Sequence, residues 1–173
     1  MRLYIVRHAI ADPHGTPGVK EEDRALTAEG IRKMRLGAEG LRRLDYVPDL
    51  IFSSPLIRAR QTAEILLAAF GKEVRMEILP SLAPSGSRRD LYQAIDSHRK
   101  DLRGLMLVGH QPSLGEIAAE IIGGSPESHI ELKKGGVCAI ELMPQKSPPR
   151  GSMIALLTPF ILRRIAAQEA LDL

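Results

Sequence analysis

Apolar and polar positions along the chain follow two different periods. Short apolar runs at roughly 2–7, 49–53, 73–79, 104–109, 136–142 and 152–157 read as strands, the first of them as a buried one. Between the first two, Ile31, Met34, Ala38, Leu41 and Leu44 recur at three- and four-residue steps, which predicts an amphipathic helix over 28–44 with Thr27 as its N-cap. A second helix is predicted from Ser54-Pro55, read as a cap followed by proline at the first helical position. It turns Leu56, Ala59, Ala63, Leu66 and Phe70 inward and stops at Gly71. "SLGE" at 113–116 reads as a capping box opening a helix that buries Leu114, Ile117, Ala118, Ile121 and Ile122 and ends at Gly123-Gly124; 86–100 reads as a further helix. This alternation predicts an α/β domain with a largely parallel sheet.

The segment "DPHGTPGVKEEDRA" at 12–25 carries two prolines, two glycines and many charges, so it is expected to be a surface loop. "MPQKSPPRGS" is expected to turn between the last two strands. No repeat, linker or shift of composition divides the chain, and 173 residues suit one domain spanning 1–173. No apolar stretch approaches the ~20 residues that a membrane span needs. The first predicted strand begins beside Met1 and leaves no room for a secretory signal, so a cytoplasmic protein is expected.

Charge and composition exclude more than they identify. A net charge of +3, with three Tyr, three Phe, no Trp and no dense basic stripe, does not predict a nucleic-acid partner. Cys138 is the only cysteine, which rules out a disulfide within the chain; in "GGVCAIELM" it reads as a small core residue. No arginine follows it by six positions, so a cysteine-dependent phosphate loop is not supported. The five histidines include no H-E-x-x-H pattern, and no closely spaced aspartate pair follows a strand, so neither a metal nor another cofactor is expected.

Three predicted strands end abruptly in polar groups: Arg7-His8, Ser53-Ser54 followed by Arg58, and Gly109-His110. In an open parallel sheet the carboxyl ends of the strands share one edge, where ligands bind. Arginine offers a permanently cationic fork suited to phosphate oxygens, and a histidine between two such charges is disfavoured as imidazolium. The neutral ring is a nucleophile, so the set suits phosphoryl transfer through histidine. Either histidine alone reads more readily as a hydrogen-bonded residue near the core. Two strand ends each supplying one, with Arg7 and Arg58 beside them, are poorly explained by packing.

These residues, with their surroundings, resemble the histidine phosphatase superfamily, also called phosphoglycerate mutase-like. The likeness lies in "YIVRHAIAD" at 4–12, "DRALTAEG" at 23–30, "IFSSPLIRARQTAEIL" at 51–66 and "LMLVGHQPSLGEIA" at 105–118. It implies a three-layer α/β/α sandwich around a mostly parallel six-stranded sheet. It further implies that His8 is the phosphorylated nucleophile, that Arg7 and Arg58 bind the phosphoryl group, and that His110 donates to its oxygens, with phosphate or sulfate anions fitting the pocket. Thr27 and Gln61 are expected to support the site from behind, although capping alone accounts for Thr27.

Within the superfamily the chain looks most like the small phosphohistidine phosphatases of the SixA type. Ala9 follows the Arg-His pair where many members have glycine, a change also common in that branch. Mutases and many ester phosphatases of the superfamily carry a leaving-group glutamate after the Arg58 helix, whereas here the region reads "LPSLAPSGSRRDLYQAID". An alkoxide is a poor leaving group, and a positioned acid contributes roughly 10²–10⁴-fold to its departure. Imidazole, whose conjugate acid has a pKa of about 6.5, leaves more readily. The expected activity is therefore metal-independent hydrolysis of phosphohistidine on a signalling protein such as a histidine-containing phosphotransfer domain. The alternative is a phosphomonoesterase of sugar or nucleotide phosphates. Asp12 and Asp90 are the carboxylates that could serve as an acid, though each also reads as a solvated side chain. His14, His98 and His129 are expected at the surface.

Overall fold

The computed structural model describes residues 1–125, 130–144 and 146–168. Strands β1 (Arg2–Arg7), β2 (Leu50–Ser53), β3 (Arg75–Ile78), β4 (Gly104–Gly109), β5 (Val137–Leu142) and β6 (Gly151–Leu157) form one sheet in the order β3-β2-β4-β1-β5-β6. The β3-β2, β2-β4 and β4-β1 ladders are parallel, whereas β1-β5 and β5-β6 are antiparallel. The sheet is thus mixed, with β5 alone running against the rest.

Helices α1 (Ala28–Arg43), α2 (Ile57–Phe70), α3 (Arg88–His98), α4 (Ser113–Gly123) and α5 (Pro159–Ala167) cover both faces. Because side chains alternate across a strand, Leu3 and Ile5 meet Leu91, Ile95, Leu114 and Ile121 of α3 and α4. Tyr4 and Val6 point the other way, toward Met34, Leu41, Ala63, Leu66 and Leu162 of α1, α2 and α5. That double burial makes β1 and β4 continuous apolar runs rather than alternating ones. Cys138 is fully buried, and burial pushes its thiol up to about 11, leaving it unreactive. No helix among the described residues is long and apolar enough to cross a membrane.

The edge strands differ from the central ones, and the helix starts and one histidine correct the sequence expectations. The edge strands β3 and β6 are largely exposed, with Ile78, Met153, Ile154 and Leu156 all open to solvent. Helix α2 begins at Ile57 rather than at Ser54-Pro55, because the Ser54 hydroxyl is engaged by His110 and by the Leu56 amide. The Ser113–Glu116 capping box does not form either. Ser113 is already the first helical residue, and Glu116 pairs with Arg88 at 2.7 Å. His98 is half-buried, with its ring edge-on to Phe52 at 5.3 Å, where a surface position was expected. His129 lies outside the described residues.

Helix α5 is an element the sequence reading lacks. Thr158 caps it by accepting from the Ile161 amide, and Pro159 occupies its first turn. It lies close against α1, since a Cβ on Gly40 would stand 2.2 Å from the Leu162 carbonyl oxygen. Gly40→Ala should force the two helices apart at a cost of about 1–3 kcal/mol. Thermal unfolding monitored by circular dichroism should therefore show a midpoint several degrees lower; an unchanged midpoint would mean that the contact is not tight.

Candidate active site

The parallel ladders continue for one hydrogen bond beyond the strands. The His8 amide donates to the Gly109 carbonyl, and the Ser54 amide to that of Val108, each at 2.9 Å. Three strand ends are thereby held side by side, and the His8 and His110 ring centroids lie 5.2 Å apart. Arg58, in the first turn of α2, is 3% exposed and acts electrostatically on both rings. The segment before β5 completes the frame: Arg7 Nη1 donates to the Leu132 carbonyl at 2.8 Å, and the Gly135 amide reaches the carbonyls of Arg7 and His8.

The protonation of His8 follows from its neighbours. Its Nδ1 lies 2.8 Å from the Ala9 carbonyl oxygen, which can only accept, so the proton sits on Nδ1 and Nε2 keeps its lone pair. Burial lowers the pKa to about 3; the carbonyl opposes this, while His110, Arg58 and Arg7 add to it. Burial, followed by the Arg58 charge, lowers His110 to about 4. His110 Nε2 lies 2.8 Å from Ser54 Oγ, which also accepts from the Leu56 amide. A serine hydroxyl donating to Nε2 leaves the His110 proton on Nδ1, a buried atom without a partner among the described residues. Arg7 Nε and Arg58 Nε are likewise buried donors without an acceptor. Unpaired buried donors of this kind suit an oxyanion.

Thr62, one turn after Arg58, links the helix to the segment that follows His8. Its hydroxyl donates to the Arg58 carbonyl at 2.7 Å and accepts from the Ala9 amide at 3.0 Å. Thr27 caps α1 by accepting from the Gly30 amide, and Gln61 accepts from the Leu26 amide at 2.7 Å. Both hold the segment after His8 rather than contacting its ring. A Cβ on Gly30 would collide with the Ile10 carbonyl, so a glycine there lets α1 approach that segment. Asp90 is exposed at the start of α3, and the Asp12 carboxylate makes no hydrogen bond or ion pair with a described residue.

The 12–25 loop contributes residues that the sequence reading passed over. Glu21 accepts from Arg58 through its backbone carbonyl at 2.7 Å and through its carboxylate at 3.1 Å. The same carboxylate meets Arg24 at 3.0 Å and the exposed His14 at 2.7 Å. Arg24 lies in the quoted "DRALTAEG" stretch and adds a third guanidinium beside the pair already identified. Glu21 could not be singled out among the loop's several charges, since its role depends on how the loop folds over Arg58.

Two measurements follow from this electrostatic arrangement. In an NMR titration the His8 and His110 ring signals should remain those of neutral imidazole from pH 8 down to pH 5, whereas titration near 6.5 would contradict their burial. Both pKa values lie below the ordinary 6.5, so unfolding takes up protons in acid; these residues favour the fold above pH 6.5 and lose that contribution as pH falls toward 4 and then 3. Glu21→Gln removes a carboxylate that competes for Arg58. Orthovanadate should bind that variant roughly two- to fivefold more tightly, in keeping with a half-exposed ion pair, and weaker binding would give Glu21 a supporting role instead.

Comparison with known proteins places this geometry in a family. Residues 3–83 match the model of the histidine phosphatase superfamily (branch 1). The chain is 39% identical over 143 residues to an uncharacterized protein of Picosynechococcus sp., covering 81% of this chain and 84% of the relative. It is 26% identical over 125 residues to the phosphohistidine phosphatase SixA of Escherichia coli, covering 72% and 76% of the two chains. Among solved structures, the protein histidine phosphatase SixA complexed with tungstate superposes with a TM-score of 0.81 at 23% identity, over 94% of this chain and 99% of that one. With the motif-bearing strand ends gathered at one sheet edge in the fold of these relatives, the chain belongs to the histidine phosphatase superfamily.

Proposed function

We propose that the protein hydrolyses phosphohistidine on a phosphorylated signalling protein, with His8 as the transient phosphoryl carrier. The observation that carries this reading is the His8 Nδ1 hydrogen bond to the Ala9 carbonyl, which leaves a bare Nε2 on a ring 5.2 Å from that of His110 and under the charges of Arg58 and Arg7. Nε2 attacks phosphorus as the substrate's N–P bond breaks, and the substrate imidazole departs neutral because its other nitrogen already carries a proton. Arg7 and Arg58 bind the phosphoryl oxygens throughout, and His110 Nδ1 donates to one of them. Water then attacks the phosphorus on His8, releasing orthophosphate and restoring the lone pair.

Among the described residues no carboxylate is evident as a leaving-group acid, Asp12 making no hydrogen bond or ion pair toward His8 or His110, and this supports a phosphoramidate over an ester. Asp90 lies exposed on α3, and the most strongly held carboxylate of the pocket, Glu21, is kept ionised chiefly by its hydrogen bond to His14, with Arg24 and Arg58 adding to the effect. Similarity to SixA of Escherichia coli points to the same substrate class.

Phosphate release from a histidine-phosphorylated phosphotransfer domain, without added metal, should be fast in the wild type and fall by roughly 10³-fold or more in His8→Ala. Release from p-nitrophenyl phosphate or a sugar phosphate should be far slower. Equal or faster ester turnover would overturn the proposed substrate class, and full activity in His8→Ala would overturn the histidine mechanism.

A further inference from the structure

A cleft of about 700 Å³ begins at Arg7 and Ala9 and runs between α1, the 131–135 segment and the start of α5. Arg7 therefore borders both this cleft and the His8 pocket. Gly30, Gly37 and Gly135 contribute no side chains to its walls, and the first two lie seven positions apart on α1, about 10 Å along the helix. The cleft is thus longer than a single phosphate.

Its charge is one-sided. Lys33, Lys133, Lys134 and Arg163 line it together with Arg7, against one carboxylate, Glu131. Lys33 pairs with Glu29, and Lys133 with Glu131 at 2.6 Å. Lys134 and Arg163 have no carboxylate within ion-pair distance among the described residues. These five cations come from the end of β1, from α1, from the 131–135 segment and from α5, so they surround the cleft rather than focus on one point. Phe160, also in the wall, is 63% exposed, more than any other large apolar side chain described.

We infer that this cleft docks an acidic polypeptide segment of the phosphorylated substrate protein, with an apolar residue of that segment packing on Phe160. The inference rests on the phosphohistidine reading above, to which it adds the means of substrate choice. Charge complementarity carries it: distributed lysines and arginine match distributed carboxylates, and an exposed phenyl ring among them offers an apolar contact that a bare anion would not use. Because the cleft reaches Arg7, a segment lying in it would place a neighbouring phosphohistidine at the mouth of the His8 pocket.

The test measures docking separately from turnover. A fluorescein-labelled dodecapeptide rich in glutamate and containing one leucine is compared with its glutamine counterpart by anisotropy, using the full chain with saturating orthophosphate on the catalytic arginines. The acidic peptide should bind roughly tenfold or more tightly than the neutral one, and its affinity should fall as salt is raised. Lys134→Glu combined with Arg163→Glu should abolish the preference, and Phe160→Ala should weaken the acidic peptide alone. The charge-reversed protein should still hydrolyse free phosphohistidine at the wild-type rate, which shows that it is folded.

Equal binding of the two peptides, or a preference that survives charge reversal, would overturn the inference. Displacement of the acidic peptide by ADP at a comparable concentration would reassign the cleft to a nucleotide. Should the wild type bind the acidic peptide as described yet release no phosphate from a histidine-phosphorylated phosphotransfer domain, docking would stand and the proposed reaction would fall.

Discussion

The site depends on two backbone hydrogen bonds that continue the sheet past its strands. The amides of His8 and Ser54 still find acceptors on β4, so the residues that leave the apolar core do so in fixed register. Everything chemical is built on that register. The two imidazoles approach each other, Ser54 reaches His110, and Thr62 on the following helix reaches the Ala9 amide. A ladder that ended one residue earlier would leave the same side chains on ordinary loops, free to turn toward water.

Burial then determines what those side chains are. Removing imidazoles from water beside guanidinium groups makes their charged forms unfavourable, so the pocket owes its positive charge to Arg7 and Arg58, with Arg24 nearby. Desolvation thus acts in opposite senses on the two residue types: it keeps the imidazoles neutral, and it works against the charge of Arg7 and Arg58, which guanidinium groups retain because they are so strongly basic. The Ala9 carbonyl adds direction, because it selects which nitrogen of His8 retains its electron pair.

Much of this was legible in the sequence because burial on both sheet faces leaves a strong mark. An unbroken apolar run that stops at arginine and histidine reports both the strand and its functional end. Hydroxyl-proline pairs were less reliable. Ser54-Pro55 and Thr158-Pro159 carry the same helix-start signal, yet only the second begins a helix there, since Ser54 is drawn into the site by His110. No local pattern distinguishes the two, because the deciding partner lies 56 residues away in the chain. Glu21 was hidden for a similar reason: one carboxylate in a charged loop acquires meaning only once the loop crosses Arg58. Helix α5 is short, and its buried contact is concentrated at Leu162, which leaves little periodicity to detect.

The Glu21 carboxylate bears on every stage of the proposed reaction. Guanidinium groups in a dry pocket are costly to leave without a counter-ion, and a phosphate held tightly enough to neutralise them would be slow to depart. In the proposed reaction, a carboxylate already paired with Arg58 would change that exchange, the entering phosphoryl group replacing it at the guanidinium and orthophosphate yielding to it again. Product escape then becomes the replacement of one negative group by another, with the cations compensated at both ends of the exchange.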